Sequence, residues 1–310
     1  MNEPRHFLEI SSQSPQVLRA ILDEGHRLKS AGTGRRMRNR ALEGRTLAML
    51  FERPSTRTRF SFDLAMREFG GDTIVAAGAE MQIGRGESLA DTATVLSRYV
   101  DGVMIRMLDH DGLLEFARHA SIPVINGLTR RSHPCQIMAD LMTIEERLGA
   151  LDSKTVTWVG DGNNVAATLL AAAPLLGFAF RVATPPELAL PNHLIERARE
   201  AGGQVSVGHD PVAAVAGTDV VVADAWASMG DQDEERRRTL LSPFQVNEAL
   251  MAEAADHAIF LHCLPAHRNE EVTDAVMDGP QSAVFDEAEN RVHAQKAILA
   301  FVFGLLDGAR

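Results

Sequence analysis

The sequence predicts an α/β protein built as two doubly wound domains, each with a parallel sheet flanked by helices. Short apolar runs bounded by turn residues alternate with stretches of helical periodicity, the pattern of strand–helix–strand units. The alternation restarts at Ser153, and a chain of 310 residues is long for one core and comfortable for two. Polar side chains of reactive type also gather just after the apolar runs, where parallel sheets place their ligands.

The elements follow in order. Val17, Leu18, Ile21, Leu22 and Leu28 recur at helical spacing after Pro15, a residue suited to a first helical position. The arginine- and glycine-rich stretch from Gly32 to Arg45 reads as a solvated connection. Thr46 to Phe51 is a short apolar run that reads as a buried strand. Ser55 stands where an N-cap belongs, before a helix with apolar Phe62, Ala65, Met66 and Phe69 that stops at Gly70-Gly71. Asp72 to Ala76 is a second strand and Gly78 to Glu87 a loop; Ser88 with Asp91 resembles a capping box opening a helix that ends near Tyr99. Gly102 to Met107 is a third strand with Arg106 near its carboxyl end. Leu113 to Ala120 is a helix, Ile122 to Ile125 a fourth strand, and Pro134 opens a long helix through about Leu148. The second half gives strands at Thr155 to Val159, Phe180 to Ala183, Gln204 to Val207, Val220 to Ala223 and Ile259 to Leu261. From Val292 to Leu306 a stripe of Ala294, Ala297, Ile298, Phe301, Val302 and Leu305 marks a last helix.

Composition narrows the function classes. The net charge of −11 argues against general binding to nucleic acid or to a membrane surface. An anionic substrate then needs a local basic pocket, for which Arg57, Arg59, Arg106 and Arg291 are the candidates. Cys135 and Cys263 lie far apart without metal-ligand spacing, which points to a reducing compartment. The amino terminus carries Glu3, Arg5 and His6 and no apolar core, so no signal peptide is expected. The most apolar run, Val165 to Phe180, is broken by Thr168, Pro174 and Gly177 and is too short to span a bilayer. A cytoplasmic protein is expected, with no nucleic-acid or membrane partner.

The stretch Ser55-Thr56-Arg57-Thr58-Arg59 is the strongest chemical signal. A helix start presents unpaired N–H groups and roughly half a positive charge, which suits an anion. Hydroxyls at 55, 56 and 58 with guanidinium groups at 57 and 59 add donors that match phosphate oxygens. Cations in a first turn oppose the dipole, so an N-capped surface helix is the weaker explanation. This is not a Walker loop, because Gly-x-x-x-x-Gly-Lys-Ser/Thr occurs nowhere in the chain.

These residues resemble the carbamoyl-phosphate signature of the aspartate/ornithine carbamoyltransferase family. Three further blocks fit it in family order: His133-Pro134-Cys135-Gln136, Asp224 with Ser228-Met229-Gly230, and His262-Cys263-Leu264-Pro265, followed by Arg291. The Ser-Met-Gly and His-Cys-Leu-Pro blocks resemble the ornithine branch of the family. The resemblance implies a carbamoyl-phosphate-binding domain at residues 1–133, an interdomain helix at 134–150, an ornithine-binding domain at 151–290, and a C-terminal helix at 291–310 packing back on the first domain. It implies transfer of the carbamoyl group to the δ-amine of L-ornithine, a step of arginine metabolism yielding citrulline and phosphate. No metal, nucleotide or organic cofactor is implied.

The roles that the resemblance implies are these. Carbamoyl phosphate is held by Ser55, Thr56, Arg57, Thr58, Gln82, Arg106, His133, Gln136, Cys263, Leu264 and Arg291, and ornithine by Asn164, Asp224, Ser228 and Met229. Arg106, His133 and Cys263 are the catalytic candidates. Gln82 reaches a neighbouring subunit's site in this family, implying a homo-oligomer, a trimer or a multiple of trimers, with sites at subunit interfaces. Arg85 stands about where the aspartate branch has a lysine. His133 precedes a helix start, where an imidazolium is disfavoured, and a neutral ring can donate to a developing oxyanion. Asp224 at a strand end can pair with an amine, and Cys263, expected beside it, is assigned to orienting that amine without a covalent intermediate. Cys135 is expected to face away from the cradle, and Pro174 to bend the helix after Asn164.

Other readings stay open at this level. Related carbamoyltransferases use putrescine, N-acetylornithine or aspartate as acceptor. Gly160-Asp161-Gly162 after a strand resembles a dinucleotide fingerprint, but Val165 takes the third glycine's place, which weighs against a nicotinamide-dependent oxidoreductase. A non-catalytic metabolite-binding module is disfavoured by the many reactive groups at strand ends.

Overall fold

The computed structural model describes residues 3–32, 40–78, 86–226 and 233–306. The chain forms two compact units, Met1–Ala139 with Arg291–Arg310, and Asp140–Asn290. Among the described residues, no helix is long and apolar enough to cross a membrane.

The first unit carries α1 (Pro15–Ser30), β1 (Thr46–Phe51), α2 (Thr56–Glu68), β2 (Asp72–Ala77), α3 (Leu89–Leu96), β3 (Gly102–Arg106), α4 (His110–His119), β4 (Val124–Leu128) and the start of α5 (Pro134–Leu148). Its sheet has the order β2-β1-β3-β4, with every pair parallel. β1 and β3 lie in the middle, so their side chains are buried on both faces, as their continuous apolar character demands. Ala48, Leu50, Val103 and Ile105 of these strands pack with Leu113, Phe116 and Ala117 of α4. The chain runs from β1 to its neighbour β2 and then returns to β3 on the other side. Strand order therefore reverses between β1 and β3, and the register pairs Phe51 with Arg106 at their carboxyl ends. Parallel sheets bind ligands in the crevice at such a reversal.

Several boundaries differ from the sequence reading. α3 ends at Leu96, because Arg98 and Tyr99 donate to Val95 and Leu96 in a tighter terminal turn. α4 begins at His110, three residues early, because Asp109 caps it by accepting from the Asp111 amide. β4 runs on to Leu128 through Asn126 and Gly127, and Phe7 bridges to Ile125 beside it.

The second unit continues α5 and adds β5 (Thr155–Val159), α6 (Asn164–Leu176), β6 (Ala179–Ala183), α7 (Asn192–Glu200), β7 (Val205–Gly208), α8 (Pro211–Val215), β8 (Val220–Ala223), α9 (Glu234–Leu241), α10 (Glu248–Met251), β9 (Ile259–His262), α11 (Asp274–Met277) and the start of α12 (Val284–Val302). Its sheet is also wholly parallel, with order β7-β6-β5-β8-β9. Here the reversal falls between β5 and β8, whose carboxyl ends lead into Gly160–Asn163 and Asp224. Pro174 stands inside α6, which continues to Leu176 and closes on Gly177 with a left-handed φ of 84°.

α12 starts at Val284, eight residues before the expected start at Val292. Its buried residues include Glu287, Asn290, Arg291, His293, Gln295 and Lys296, so an apolar stripe could not mark its first half. Lys296 donates to Glu68 of α2 at 2.7 Å, a pairing that accounts for a buried ammonium.

Of the two glycines after β5, Gly160 takes a left-handed φ of 126°, and Gly162 serves packing. A Cβ on Gly162 would lie 2.6 Å from the Leu188 carbonyl oxygen and 2.7 Å from the Leu190 amide nitrogen, and its own N–H already donates to Leu188 at 2.8 Å. Backbone on both sides cannot withdraw, so Gly162→Ala is expected to destabilise the protein by about 2–4 kcal/mol, read as a lowered denaturant midpoint. An unchanged midpoint would show that the turn has room the structure denies it.

Candidate active site

Two clusters of polar groups stand at the two strand-order reversals, one in each unit. In the first unit, Ser55 occupies the N-cap position of α2 in an extended conformation (φ −152°, ψ 114°), and its side chain makes no capping bond. Thr56, Arg57 and Thr58 form the first turn, as their sequence position predicts. Ser61 donates back to the Arg57 carbonyl at 2.6 Å, which ties that turn to the next.

Arg291, only 3% exposed, knits this cluster together. Its Nη1 donates to Gln136 Oε1 at 2.5 Å and its Nη2 to Thr58 Oγ1 at 3.2 Å. One guanidinium from α12 thus joins the start of α2 to the first turn of α5. Planar, forked donors make arginine suited to that double contact.

His133 is buried immediately before α5. Burial lowers its pKa well below 6.5, and the positive charges of Arg291, Arg106 and Arg57 push it further in the same direction. The ring is therefore neutral near pH 7, a hydrogen-bond donor without a charge. Cys135 lies in the same block, but its thiol donates to the Asn126 carbonyl at 3.3 Å, and burial pushes its pKa up to about 12.

In the second unit Asn163 caps α6, its Oδ1 accepting from the Val165 and Ala166 amides. Its Nδ2 donates to Asp224 Oδ2 at 2.7 Å, so the helix cap also fixes the carboxylate at the end of β8. The other carboxylate oxygen accepts from the Cys263 thiol at 3.0 Å and from the Ala225 amide at 2.8 Å. Burial and the adjacent Asp224 charge drive the Cys263 pKa well above 9.0, with Glu287 and Asp140 adding to the shift. This is a thiol at neutral pH.

His262 supports the loop after β9. Its Nδ1 accepts from the Leu264 amide at 2.9 Å and its Nε2 faces Glu271 Oε1 at 3.1 Å, which assigns the proton to Nε2. Donor atoms of Asp224, His262 and Cys263 lie within 4.8 Å of one another. Both ring nitrogens of His262 are engaged and the thiol is protonated, so this triad is a poor match for a metal ion.

The structure thus brings together Thr58, Gln136 and Arg291 by direct bonds, sets Arg57, Arg106 and His133 in one electrostatic cluster, and joins Asp224 to Cys263. Asn164 opens α6 one residue after the cap. Gln82, Ser228 and Met229 lie outside the described residues. Sequence reasoning passed over Asn163, although its N-cap preference marks it, and Glu271, for which no sequence signal exists.

The aspartate/ornithine carbamoyltransferase carbamoyl-P binding domain model matches residues 5–146, and the Asp/Orn binding domain model of that family matches residues 152–302. An ornithine carbamoyltransferase of Rhodopseudomonas palustris is 58% identical over 307 residues, 98% of each chain. The solved ornithine carbamoyltransferase of Pyrococcus furiosus has a TM-score of 0.92 and 47% identity, covering 97% of this chain and 98% of that one. That of Thermus thermophilus has a TM-score of 0.89 and 40% identity, with 97% and 99% covered.

The electrostatics of His133 can be tested directly. Below pH 6.5 the unfolded chain takes up a proton that folded His133 refuses, so this residue lowers stability as pH falls through 6.5. Ring nitrogen chemical shifts are expected to keep His133 neutral when the pH is taken from 8 down through 6.5. Protonation at the ordinary histidine value would contradict the arginine cluster around it.

Proposed function

The chain belongs to the aspartate/ornithine carbamoyltransferase family, and from that premise we propose that it transfers the carbamoyl group of carbamoyl phosphate to the δ-amine of L-ornithine, giving L-citrulline and phosphate. The observation that carries the choice of acceptor is the 58% identity, over 98% of each chain, with an ornithine carbamoyltransferase. The chemistry of the two clusters supports it.

Carbamoyl phosphate is assigned to the first unit. Ser55, Thr56, Arg57 and Thr58 offer hydroxyls, helix-start amides and a guanidinium to the phosphate, with Arg291 behind Thr58. Arg106 and His133 are assigned to the carbamoyl oxygen, and Gln136 to its amide. A neutral His133 donates one hydrogen bond to the oxyanion as it forms, without a charge to repel the cationic acceptor.

Ornithine is assigned to Asn164, Asp224, Ser228 and Met229, and Cys263 orients the amine through Asp224. The deprotonated δ-amine attacks the carbamoyl carbon, forming the C–N bond. The C–O bond to phosphate then breaks, phosphate leaves with that electron pair, and the amine nitrogen gives up its extra proton to the departing phosphate. A thiol held protonated is a weak nucleophile, which supports direct attack over a carbamoyl-thiol intermediate.

A homo-oligomer, a trimer or a multiple of it, is part of this proposal. Ile74 on edge strand β2 is 56% exposed, and Phe60 and Leu64 of α2 are 70% and 44% exposed. Apolar side chains left in water beside an open strand edge favour cover by another chain. Gln82 follows β2 in sequence, consistent with a contribution to a neighbour's site. A cytoplasmic location fits the two free cysteines.

A citrulline-type assay with carbamoyl phosphate and ornithine, putrescine, N-acetylornithine or aspartate is expected to favour ornithine widely; a preference for aspartate would overturn the acceptor. An alkyl amine has a pKa of about 10.4, so activity at limiting ornithine is expected to rise about tenfold per pH unit between about 6 and 8. Cys263→Ser is expected to retain measurable activity and the same rise. An inactive Cys263→Ser, with a carbamoylated thiol trapped in the native enzyme by mass spectrometry, would contradict direct attack.

A further inference from the structure

We propose that Arg237 is a positioning residue for the amino-acid acceptor, and the proposal rests on the assignment of ornithine to the second unit. Arg237 lies on α9, and its side chain is 19% exposed. Its Nη2 donates to Asp161 Oδ2 at 2.5 Å, in the loop after β5, and its Nε donates to the Trp226 carbonyl at 2.9 Å, in the loop after β8. These are the loops that carry the acceptor groups. Asp161 stands two residues before Asn163, and Trp226 two residues after Asp224. Asn163 and Asp224 are themselves joined at 2.7 Å. One guanidinium therefore locks together the two chain segments that carry Asn163 and Asp224.

Charge gives Arg237 a second task. Asp161 and Asp224 both lie at the strand-order reversal of this sheet. Asp224 is held by neutral donors, the Asn163 amide, the Cys263 thiol and the Ala225 N–H, and so keeps its charge for an ammonium group. The Asp161 carboxylate, 17% exposed, is compensated by Arg237. Low exposure keeps that pair from being screened by solvent as a surface pair is. Without Arg237, a second anion faces the same loops and competes for the acceptor's cationic groups. The neighbouring Arg238 also tethers α9, to Glu270 at 3.0 Å, but that pair is 50% and 32% exposed and has little hold on geometry.

The test separates positioning from mere stability. Arg237→Gln is expected to raise the KM for ornithine at least about tenfold while the KM for carbamoyl phosphate stays within about twofold, as loss of a charge-assisted hydrogen-bond pair predicts. Arg237→Lys recovers part of the loss, since it restores charge without the fork. Asp161→Asn placed in the Gln background recovers the part caused by the uncompensated carboxylate. Arg238→Ala, the control, leaves both KM values within about twofold. Should the Gln variant fold poorly, Asp161→Asn alone is expected to show the same selective rise in ornithine KM. An unchanged ornithine KM, or an equal rise in both KM values with a lowered Tm, would overturn the proposal. A native protein that rejects ornithine would instead overturn the acceptor assignment, so the two failures are distinguishable.

Discussion

The buried guanidinium of Arg291 is the constraint on which the first cluster depends. Taking such a charge out of water costs several kcal/mol unless strong polar contacts replace its hydration. Thr58 and Gln136 supply two of those contacts, and they fix the first turns of α2 and α5 against α12. Burial keeps the proton off His133, and the same charge, with Arg106 and Arg57, pushes in the same direction. One electrostatic field therefore does two things at once. It favours an anion beside it, and it adds to the burial that keeps the adjacent imidazole neutral, a hydrogen-bond donor without a charge.

The topology explains why the reactive groups fall where they do. Each sheet reverses its strand order once near the middle, between β1 and β3 in one unit and between β5 and β8 in the other. At such a reversal the connections leave in opposite directions and open a crevice at the strands' carboxyl ends. Ser55 to Thr58 and Arg106 follow from the first reversal, and Asn163 and Asp224 from the second. The second unit's cluster is electrostatically the inverse of the first. Its half-buried anion, Asp224, is held by neutral donors, and its thiol is kept protonated by burial together with that anion.

The strands and the opening of α2 were legible in the sequence because each is a local event. An apolar run of only about four to six residues between turn residues is too short for a core helix and reads as a buried strand, and Ser55 before a helical stripe marks a helix start. α5 likewise runs from Pro134 to Leu148, as read. α12 was half hidden, because residues such as Glu287, Asn290 and Arg291 are buried through pairing, not through hydrophobicity. The start of α4 was missed for a plainer reason: the capping Asp109 lies before three residues without apolar periodicity. Within the clusters, residue types and motif order pointed to the participants, while the bonds between them did not show. Arg291 lies 233 residues from Thr58, and Glu271 meets His262 only through the fold of the loop after β9. Contacts of that kind are set by tertiary packing and leave no periodic trace.

The central claim is that the arginine cluster of the first unit is a carbamoyl-phosphate cradle. Calorimetric titration of the protein and of Arg57→Ala with carbamoyl phosphate tests it most directly. If Arg57 grips the phosphate through paired, charge-assisted hydrogen bonds, the alanine variant binds more weakly by about 2–4 kcal/mol with unchanged fold and assembly, and lysine restores only part of the loss. Binding by Arg57→Ala at the strength of the native protein would contradict the cradle and return α2 to the status of a capped surface helix.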